Sequence, residues 1–395
     1  MTKSFDVVVL GLGAMGSASV FQLAKKRKRV LGIDQFSPPH QLGSSHGDTR
    51  IIRQAIGEGE EYVPLVLRSY ELWREIEAFT GKQVLSITGG LIMASTKSEA
   101  SLHGSNGFLN QTIRSAQKFG IDHSLLDADQ IQSRFPQFHL AGDEHGYYEP
   151  AMGFLRPELC IESQLALAEK HGAEIHKNER VLEFLPAANG VTVKTSAGRY
   201  TADRLVISAG SWIGPFIGQD LAPCFKVYRQ VLYWFEAKDS IDAYEPGNFP
   251  IFIWQFGGHH DDFIYGFPAI DASDGGIKVA SEQHIVDTDP DGVDREVHEE
   301  EISEMYRNYI RERLPGLSQK CVRAAVCLYT STPDSGFVID FHPQNRGVLI
   351  VSPCSGHGFK HSAAIGEVVA DLLIDGRSQI DISKFRINRF SGNSS

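Results

Sequence analysis

Residues 5–16 read FDVVVLGLGAMG, an apolar run that leads directly into glycines spaced as G-x-G-x-x-G. The β-branched run predicts a strand, and the pattern after it predicts a helix. Gly11 permits the tight turn, Gly13 lets phosphates approach the backbone, and Gly16 allows helix and strand to pack closely. Free N–H groups at the helix N-terminus favour an anion. The stretch therefore predicts a dinucleotide site.

A second predicted strand indicates how the nucleotide is held. Residues 29–33 read RVLGI and lead into Asp34, about 20 residues beyond the glycines, where a carboxylate accepts from ribose hydroxyls. An acid at this place disfavours a 2′-phosphate. The alternative is a glycine-rich turn in an ordinary α/β unit. The two strands and the acid together favour FAD or NAD.

Composition limits the class of protein. The chain has 395 residues, 42% of them hydrophobic and 22% charged, as in soluble globular proteins of about two domains. A formal charge of −11 argues against nucleic acid or an anionic membrane as partner. We expect no signal peptide and no membrane span. The five cysteines lack paired spacing, so we expect neither disulfides nor zinc, and a cytoplasmic protein.

The order of predicted elements is that of an α/β protein with two discontinuous domains. The nucleotide-binding domain is expected to comprise residues 1–84, 150–218 and 322–395, and a β-rich substrate domain residues 85–149 and 219–321. The main helices are predicted to start near Pro64 and to span 98–119, 157–171, 294–314 and 363–373. The stretch His259-His-Asp-Asp262 falls in a predicted hairpin loop. Adjacent side chains there point opposite ways, so we expect no metal.

Three further stretches carry chemistry. Arg50 and Arg53, in GDTRIIR, would share a face if helical and suit a carboxylate or phosphate, although a solvated surface pair is the alternative. Residues 355–360 read SGHGFK and follow a predicted buried strand, where ligands of open α/β sheets bind. Lys360 is either a surface lysine or a ligand. Cys327 lies in an apolar strand, where inert core is the alternative.

The chain resembles the monomeric sarcosine oxidase family, covalent-flavin amine oxidases of the D-amino acid oxidase-like group that include N-methyltryptophan oxidase. The resemblance runs along nearly the whole chain and rests on residues 11–16, 46–64, 265–268, 325–329 and 355–360. It implies a glutathione-reductase-type FAD-binding Rossmann domain, interrupted by a substrate domain whose sheet covers the flavin. It also implies FAD bound through a thioether to Cys327.

The resemblance implies roles for individual residues. Arg53 and Lys360 match the pair that binds the substrate carboxylate, and Lys278 matches a lysine associated with oxygen activation. The implied catalytic residues are Lys278, Arg50, Tyr265 and His284. The implied substrate-binding residues are Arg53, Lys360, Tyr265 and Tyr329. The implied cofactor-binding residues are Cys327, Gly11, Gly13, Gly16, Asp34, Ser44, Arg50, Gly356, His357, Gly358 and Lys360.

One position departs from the family pattern. Its members place a histidine four residues after the oxygen-side lysine, where this chain has Glu282, with His284 two residues further on. Either His284 replaces the missing imidazole or Glu282 lines the pocket, where a carboxylate would suit a second cationic group on the substrate.

The activity implied by the resemblance is oxidation of a secondary amine in an N-alkyl or cyclic amino acid. Hydride passes to FAD, water hydrolyses the imine, and O2 becomes H2O2. The partners are then a small amino acid and O2, and the protein is a monomer. One alternative is a dehydrogenase that passes electrons to a carrier. The other is a flavin-binding redox sensor without turnover.

Overall fold

The computed structural model describes residues 3–98, 100–187, 190–259, 262–270 and 275–390, which form two eight-stranded sheets and one three-stranded sheet. Its α-helices are α1 (Ala14–Lys25), α2 (Val63–Thr80), α3 (Phe108–Phe119), α4 (Ala128–Arg134), α5 (Pro157–Lys170), α6 (Glu299–Met305) and α7 (Ser362–Ile374).

The strands come in three runs along the chain. The first is β1 (Lys3–Leu10), β2 (Val30–Ile33), β3 (Arg50–Ile52), β4 (Leu85–Ile87), β5 (Gly90–Ser95), β6 (Ser124–Asp127), β7 (Glu144–Glu149) and β8 (Gly153–Leu155). The second is β9 (Glu174–His176), β10 (Val181–Ala187), β11 (Gly190–Thr195), β12 (Arg199–Ile207) and β13 (Lys226–Ala237). The third is β14 (Ile251–Gln255), β15 (Phe263–Gly266), β16 (Ile277–Ala280), β17 (Leu317–Ser331), β18 (Val338–His342) and β19 (Asn345–Ser352).

The first sheet confirms the α/β prediction. Its order is β10-β11-β12-β1-β2-β9, and β19 pairs with both β12 and β18. Strand β1 runs parallel to β2 and to β12, as the apolar runs predict for strands buried on both faces. Helix α1 packs between α5 and α7. Gly366 makes the α1–α7 contact possible, because a Cβ there would lie 2.6 Å from the backbone of Ala18.

The second sheet has the order β17-β13-β16-β15-β14-β5-β7-β6. Its longest pairing is antiparallel, between β13 and β17, with Lys226 opposite Ser331 at one end and Ala237 opposite Leu317 at the other. Strand β17 runs across the predicted domain boundary at residue 322. It therefore carries Cys327 and Tyr329 within the β-rich sheet.

The arginine segment is extended rather than helical. Residues 50–52 form β3 in the three-stranded sheet β3-β8-β4. Arg50 and Arg53 therefore do not lie on one face of a helix. Arg50 and Arg53 nevertheless line one cavity, described below.

Two predicted helices are shorter than expected. Helix α3 begins only at Phe108, since His103, Gly104 and Gly107 have φ values of 49°, 75° and 68°, which a right-handed helix excludes. In the segment 294–314, helix α6 begins after a capping box at His298 and passes into a π-helical turn at Tyr306–Ile310.

Candidate active site

The glycine-rich turn opens onto a cavity of about 910 Å³. Gly11 has a φ of +83°, and a Cβ on it would lie 2.5 Å from the carbonyl oxygen of Ser208. A Cβ on Gly16 would overlap the carbonyl oxygen of Gly11. Gly13, at the N-terminus of α1, borders the cavity directly. The backbone N–H groups at this helix start are therefore accessible to an anion, as the sequence predicts.

Asp34 lies on the wall of the same cavity, at the end of β2. Its two carboxylate oxygens accept hydrogen bonds from the backbone N–H groups of Leu12, at 2.7 Å, and Phe36, at 2.8 Å. Burial raises the pKa of this carboxyl group above its ordinary value. The backbone bonds fix Asp34 beside the glycine turn, which is the arrangement that a nucleotide ribose requires.

Arg50 and Cys327 meet beside the cavity, at a wall that Arg50 shares with a second cavity described below. Arg50 Nη2 donates to the carbonyl oxygen of Ser44 at 2.8 Å and lies 3.4 Å from Cys327 Sγ. Ser44 and Arg50 line the cavity, and the Cys327 sulfur lies directly behind them. Burial raises the pKa of the Cys327 thiol, while the Arg50 guanidinium opposes this effect and favours the thiolate.

Lys278, on β16, is buried and is held by a single turn. Its Nζ donates to the carbonyl oxygens of Gly47, at 2.7 Å, and Thr49, at 3.0 Å. The ammonium also lies 4.7 Å from the ring centre of Phe267. Burial, followed by repulsion from Arg50, lowers the pKa of Lys278 well below its ordinary value. The three hydrogen bonds from Nζ, to these carbonyl oxygens and to Thr49 Oγ1 at 3.2 Å, fix the amine in place.

The turn that binds Lys278 is itself anchored to helix α5, which packs against α1. Glu158, in the first turn of α5, accepts from the backbone N–H groups of Gly47, at 2.6 Å, and Asp48, at 3.3 Å. Sequence reasoning assigned no role to Glu158. Its partners lie more than a hundred residues away, so no local pattern indicates the contact.

A second, smaller cavity of about 60 Å³ contains the two cations predicted to bind a carboxylate. Arg53 donates to the backbone carbonyl of Ala55 at 2.6 Å and to Glu58 Oε2 at 2.6 Å. Lys360 Nζ donates to the carbonyl oxygen of His357 at 2.7 Å and lies 4.0 Å from Glu58 Oε1. Burial lowers the pKa of Lys360 to about 7, against the attraction of Glu58.

The glycines of the SGHGFK stretch are required by its geometry. Gly356 has a φ of +82°, and a Cβ on it would lie 2.5 Å from His103 Nε2. A Cβ on Gly358 would overlap the carbonyl oxygen of Pro353. His357 Nε2 bonds to the carbonyl of Ser335 at 3.0 Å, and burial lowers the pKa of His357 to about 3. A neutral His357 thus fixes the turn that presents Lys360.

Tyr329 lies on the wall shared by the two cavities, and Tyr265 lines the small cavity beside it. Arg50, Tyr329, Gly356 and Phe359 border both cavities, so the two spaces adjoin. The hydroxyl oxygens of Tyr265 and Tyr329 lie 3.4 Å apart.

Glu282 lines the small cavity and is buried. His284 is 31% exposed, and its Nε2 lies 3.4 Å from Glu282 Oε2. Among the described residues, His284 does not line the small cavity. Of the two alternatives drawn from the sequence, this placement favours Glu282 as the pocket residue. A catalytic role for His284 stays a prediction.

The described ranges contain no group of three or more His, Cys, Asp or Glu side chains arranged to hold a metal ion. Two residues of the His259–Asp262 stretch, 260 and 261, lie outside those ranges. Within them, no helix combines the length and apolar character needed to cross a bilayer.

Known proteins resemble this chain over its full length. The profile of the family described as FAD dependent oxidoreductase matches residues 6–372. A monomeric sarcosine oxidase from Streptomyces avermitilis is 40% identical over 392 residues, 99% of each chain. An N-methyl-L-tryptophan oxidase from Salmonella arizonae is 34% identical, covering 98% of this chain and 99% of its own.

Solved structures show the same fold. The open form of NikD, an unusual amino acid oxidase, superposes with a TM-score of 0.83 at 23% identity, over 98% of both chains. Glycine oxidase from Geobacillus kaustophilus gives a TM-score of 0.78 at 20% identity, over 98% of this chain and 99% of its own.

Proposed function

The chain belongs to the FAD-dependent oxidoreductase family, in the group of monomeric sarcosine oxidase and N-methyl-L-tryptophan oxidase, and we propose that it oxidises the secondary amine of N-methyl amino acids. One observation carries this proposal. A dinucleotide-sized cavity adjoins a small pocket that contains two buried cations, so a carboxylate bound there would lie next to the cofactor.

The cavity residues fit FAD. The glycine turn and Asp34 would hold the adenosine and pyrophosphate, and Arg50, which also borders the small cavity, would lie near the flavin ring. When bound, FAD accepts a hydride from the substrate carbon and returns the electrons to O2, which leaves as hydrogen peroxide. We place its covalent attachment at Cys327, whose sulfur lies next to both Arg50 and Ser44.

The cation pair supplies orientation rather than bond-making chemistry. Arg53 and Lys360 approach the cavity from different elements, and Glu58 holds both of them in position. When the substrate carboxylate is bound between two fixed cations, the α-carbon of the substrate is held in one position. This lowers the entropic cost of reaching the reactive geometry. The neutral secondary amine then supplies the lone pair that assists C–H cleavage.

Lys278 provides electrostatic assistance on the oxygen side. A buried amine fixed by two carbonyl groups needs no reorganisation when negative charge develops on oxygen, which is the condition for effective preorganisation. We further propose that O2 is the electron acceptor. We also propose that the protein is a monomer, because two relatives are named monomeric sarcosine oxidase. The five free cysteines fit a reducing compartment, in agreement with a cytoplasmic location.

The direct test of the function is peroxide release on a panel of N-methyl and cyclic amino acids. We expect sarcosine or another N-methyl amino acid to give stoichiometric peroxide and an aldehyde or keto acid. Turnover with an artificial electron acceptor but no peroxide would indicate the dehydrogenase instead. Silence across a broad panel, with flavin bound, would favour a redox sensor.

The two cations give a prediction about affinity. A charge-assisted hydrogen bond contributes about 1.5–3 kcal/mol, so R53M and K360M should each raise KM for the amino acid about 10- to 100-fold. With the methyl ester of the same substrate, both variants should differ little from wild type, because no carboxylate remains to be bound. Equal losses with acid and ester would show that the cations act only through folding.

The pKa of Lys360 predicts a pH effect on affinity. Because burial lowers this pKa to about 7, the free enzyme loses the ammonium as the pH rises through 7, and KM should rise from pH 6 to 9. Over the same range kcat should rise, since a larger fraction of the substrate amine is neutral. K360R stays charged at these pH values and should flatten the KM profile. A wild-type KM that is constant from pH 6 to 9 would contradict the assignment.

A further inference from the structure

Three buried side chains from distant parts of the chain form one hydrogen-bonded row. His103 Nδ1 lies 3.0 Å from Glu58 Oε1, and His103 Nε2 lies 3.1 Å from Glu282 Oε2. The side chains of His103, Glu58 and Glu282 are 8%, 2% and 4% exposed. The imidazole therefore bridges two carboxylates that are nearly shielded from water.

This row forms one side of the small cavity that also contains Arg53 and Lys360. His103 comes from the segment before α3, and its ring packs against the SGHGFK turn, where Gly356 has no Cβ to obstruct it. The imidazole thus forms part of the cavity wall, between the two carboxylates that also line the cavity. The remaining volume of about 60 Å³ suits a substrate with a very small side chain.

The imidazole of His103 compensates negative charge at the wall of the small cavity. Glu58 already has Arg53 as a partner at 2.6 Å, with Lys360 nearby. Glu282 has His103 at 3.1 Å and His284 at 3.4 Å. Burial disfavours the imidazolium, but Glu282 and Glu58 outweigh this effect and raise the pKa of His103 to about 9. At neutral pH the bridge is therefore cationic.

We propose that His103 is a specificity-determining residue, whose imidazolium occupies the side-chain end of the substrate pocket and neutralises Glu282, so that the enzyme takes N-methyl amino acids with small, uncharged side chains. The proposal rests on the function argued above. It follows that removing the imidazole leaves a space bordered by a buried carboxylate that has lost its nearer partner and keeps His284 at 3.4 Å, which is costly to the protein. A substrate with a short cationic side chain can supply the missing charge.

The test compares two substrates of the same shape. Nα-Methyl-2,4-diaminobutyrate carries an ammonium where Nα-methylnorvaline carries a methyl group. For H103A we expect the ratio of kcat/KM values, cationic over neutral substrate, to rise about 10-fold or more over wild type, as expected for a charge-assisted contact. Activity on sarcosine should fall relative to both longer substrates. Adding E282Q to H103A should return the ratio to near its wild-type value.

Controls separate specificity from folding. His145 is exposed on β7, outside both cavities, so H145A should leave the ratio unchanged. H103Q keeps a hydrogen-bonding side chain without the charge, so it should also raise the ratio. This variant replaces H103A if H103A cannot be purified. Flavin content and the unfolding temperature are measured for every variant.

Calorimetric binding of the two amino acids gives a readout that does not need turnover. If the wild-type protein oxidised no amine, the proposed function would be contradicted. The role of His103 would still be tested, because H103A should bind the cationic ligand more tightly, relative to the neutral one, than the wild type does. An unchanged ratio and unchanged relative Kd, in a folded His103 variant that retains flavin, would overturn the inference.

Discussion

Acid precipitation of the C327A variant should leave a colourless pellet and a yellow supernatant, whereas the wild-type pellet should remain yellow. The reason is that Cys327 is the cysteine whose sulfur lies against Arg50, the cation that favours a thiolate beside the dinucleotide cavity. We expect essentially complete loss of covalently bound flavin. The visible absorbance of flavin in the denatured, precipitated chain measures this loss.

Cys354 provides the matched control. It borders the dinucleotide cavity itself, so a link formed merely by proximity to the cavity would involve this residue. C354A should keep its colour in the pellet. Release of flavin by C354A but not by C327A would show that the flavin is attached to Cys354. A colourless wild-type pellet would exclude covalent flavin altogether.

The second large effect is expected for K278M. Removing a preorganised group that stabilises developing negative charge costs about 100- to 1000-fold, so the reaction of reduced enzyme with O2 should slow by that factor. Anaerobic reduction of the bound flavin by substrate should change much less, because Arg53 and Lys360 are untouched. Stopped-flow absorbance measures the two half-reactions separately.

Lys320 is a suitable control for K278M. It lies on β17 of the same sheet, is 66% exposed, and pairs with Glu236 at the surface. K320M should alter neither half-reaction. If K278M slowed both half-reactions equally, Lys278 would act through the position of the flavin or substrate, and the oxygen-side assignment would be wrong.

The nucleotide-binding part of the fold is readable in the sequence because its determinants are local. The strand, the three glycines and Asp34 fall within one short βαβ unit, and the α/β assignment that follows from them is confirmed by the first sheet. The conformation of the arginine segment was left open by the sequence, although its β-branched Ile51 and Ile52 favour a strand. Its pairing with β8, which is distant in sequence, makes it a strand.

The charged row in the substrate pocket has no comparable signal. His103 falls in a stretch predicted to be helical, and only positive φ values at His103, Gly104 and Gly107 show that the helix starts later. Glu58 lies within a motif that carried the family resemblance, but nothing in its neighbours indicates a partner 45 residues away. The single clue was Glu282, which stands where the family has a histidine.

The location of Cys327 has a mechanical consequence. The glycine turn that would hold the adenosine end of FAD belongs to the first sheet, whereas β17 belongs to the second. A thioether at Cys327 would make the cofactor a cross-link between these two bodies. Loss of this cross-link in C327A should lower the unfolding temperature measured by calorimetry, even with flavin still bound, because a covalent link restricts the unfolded chain.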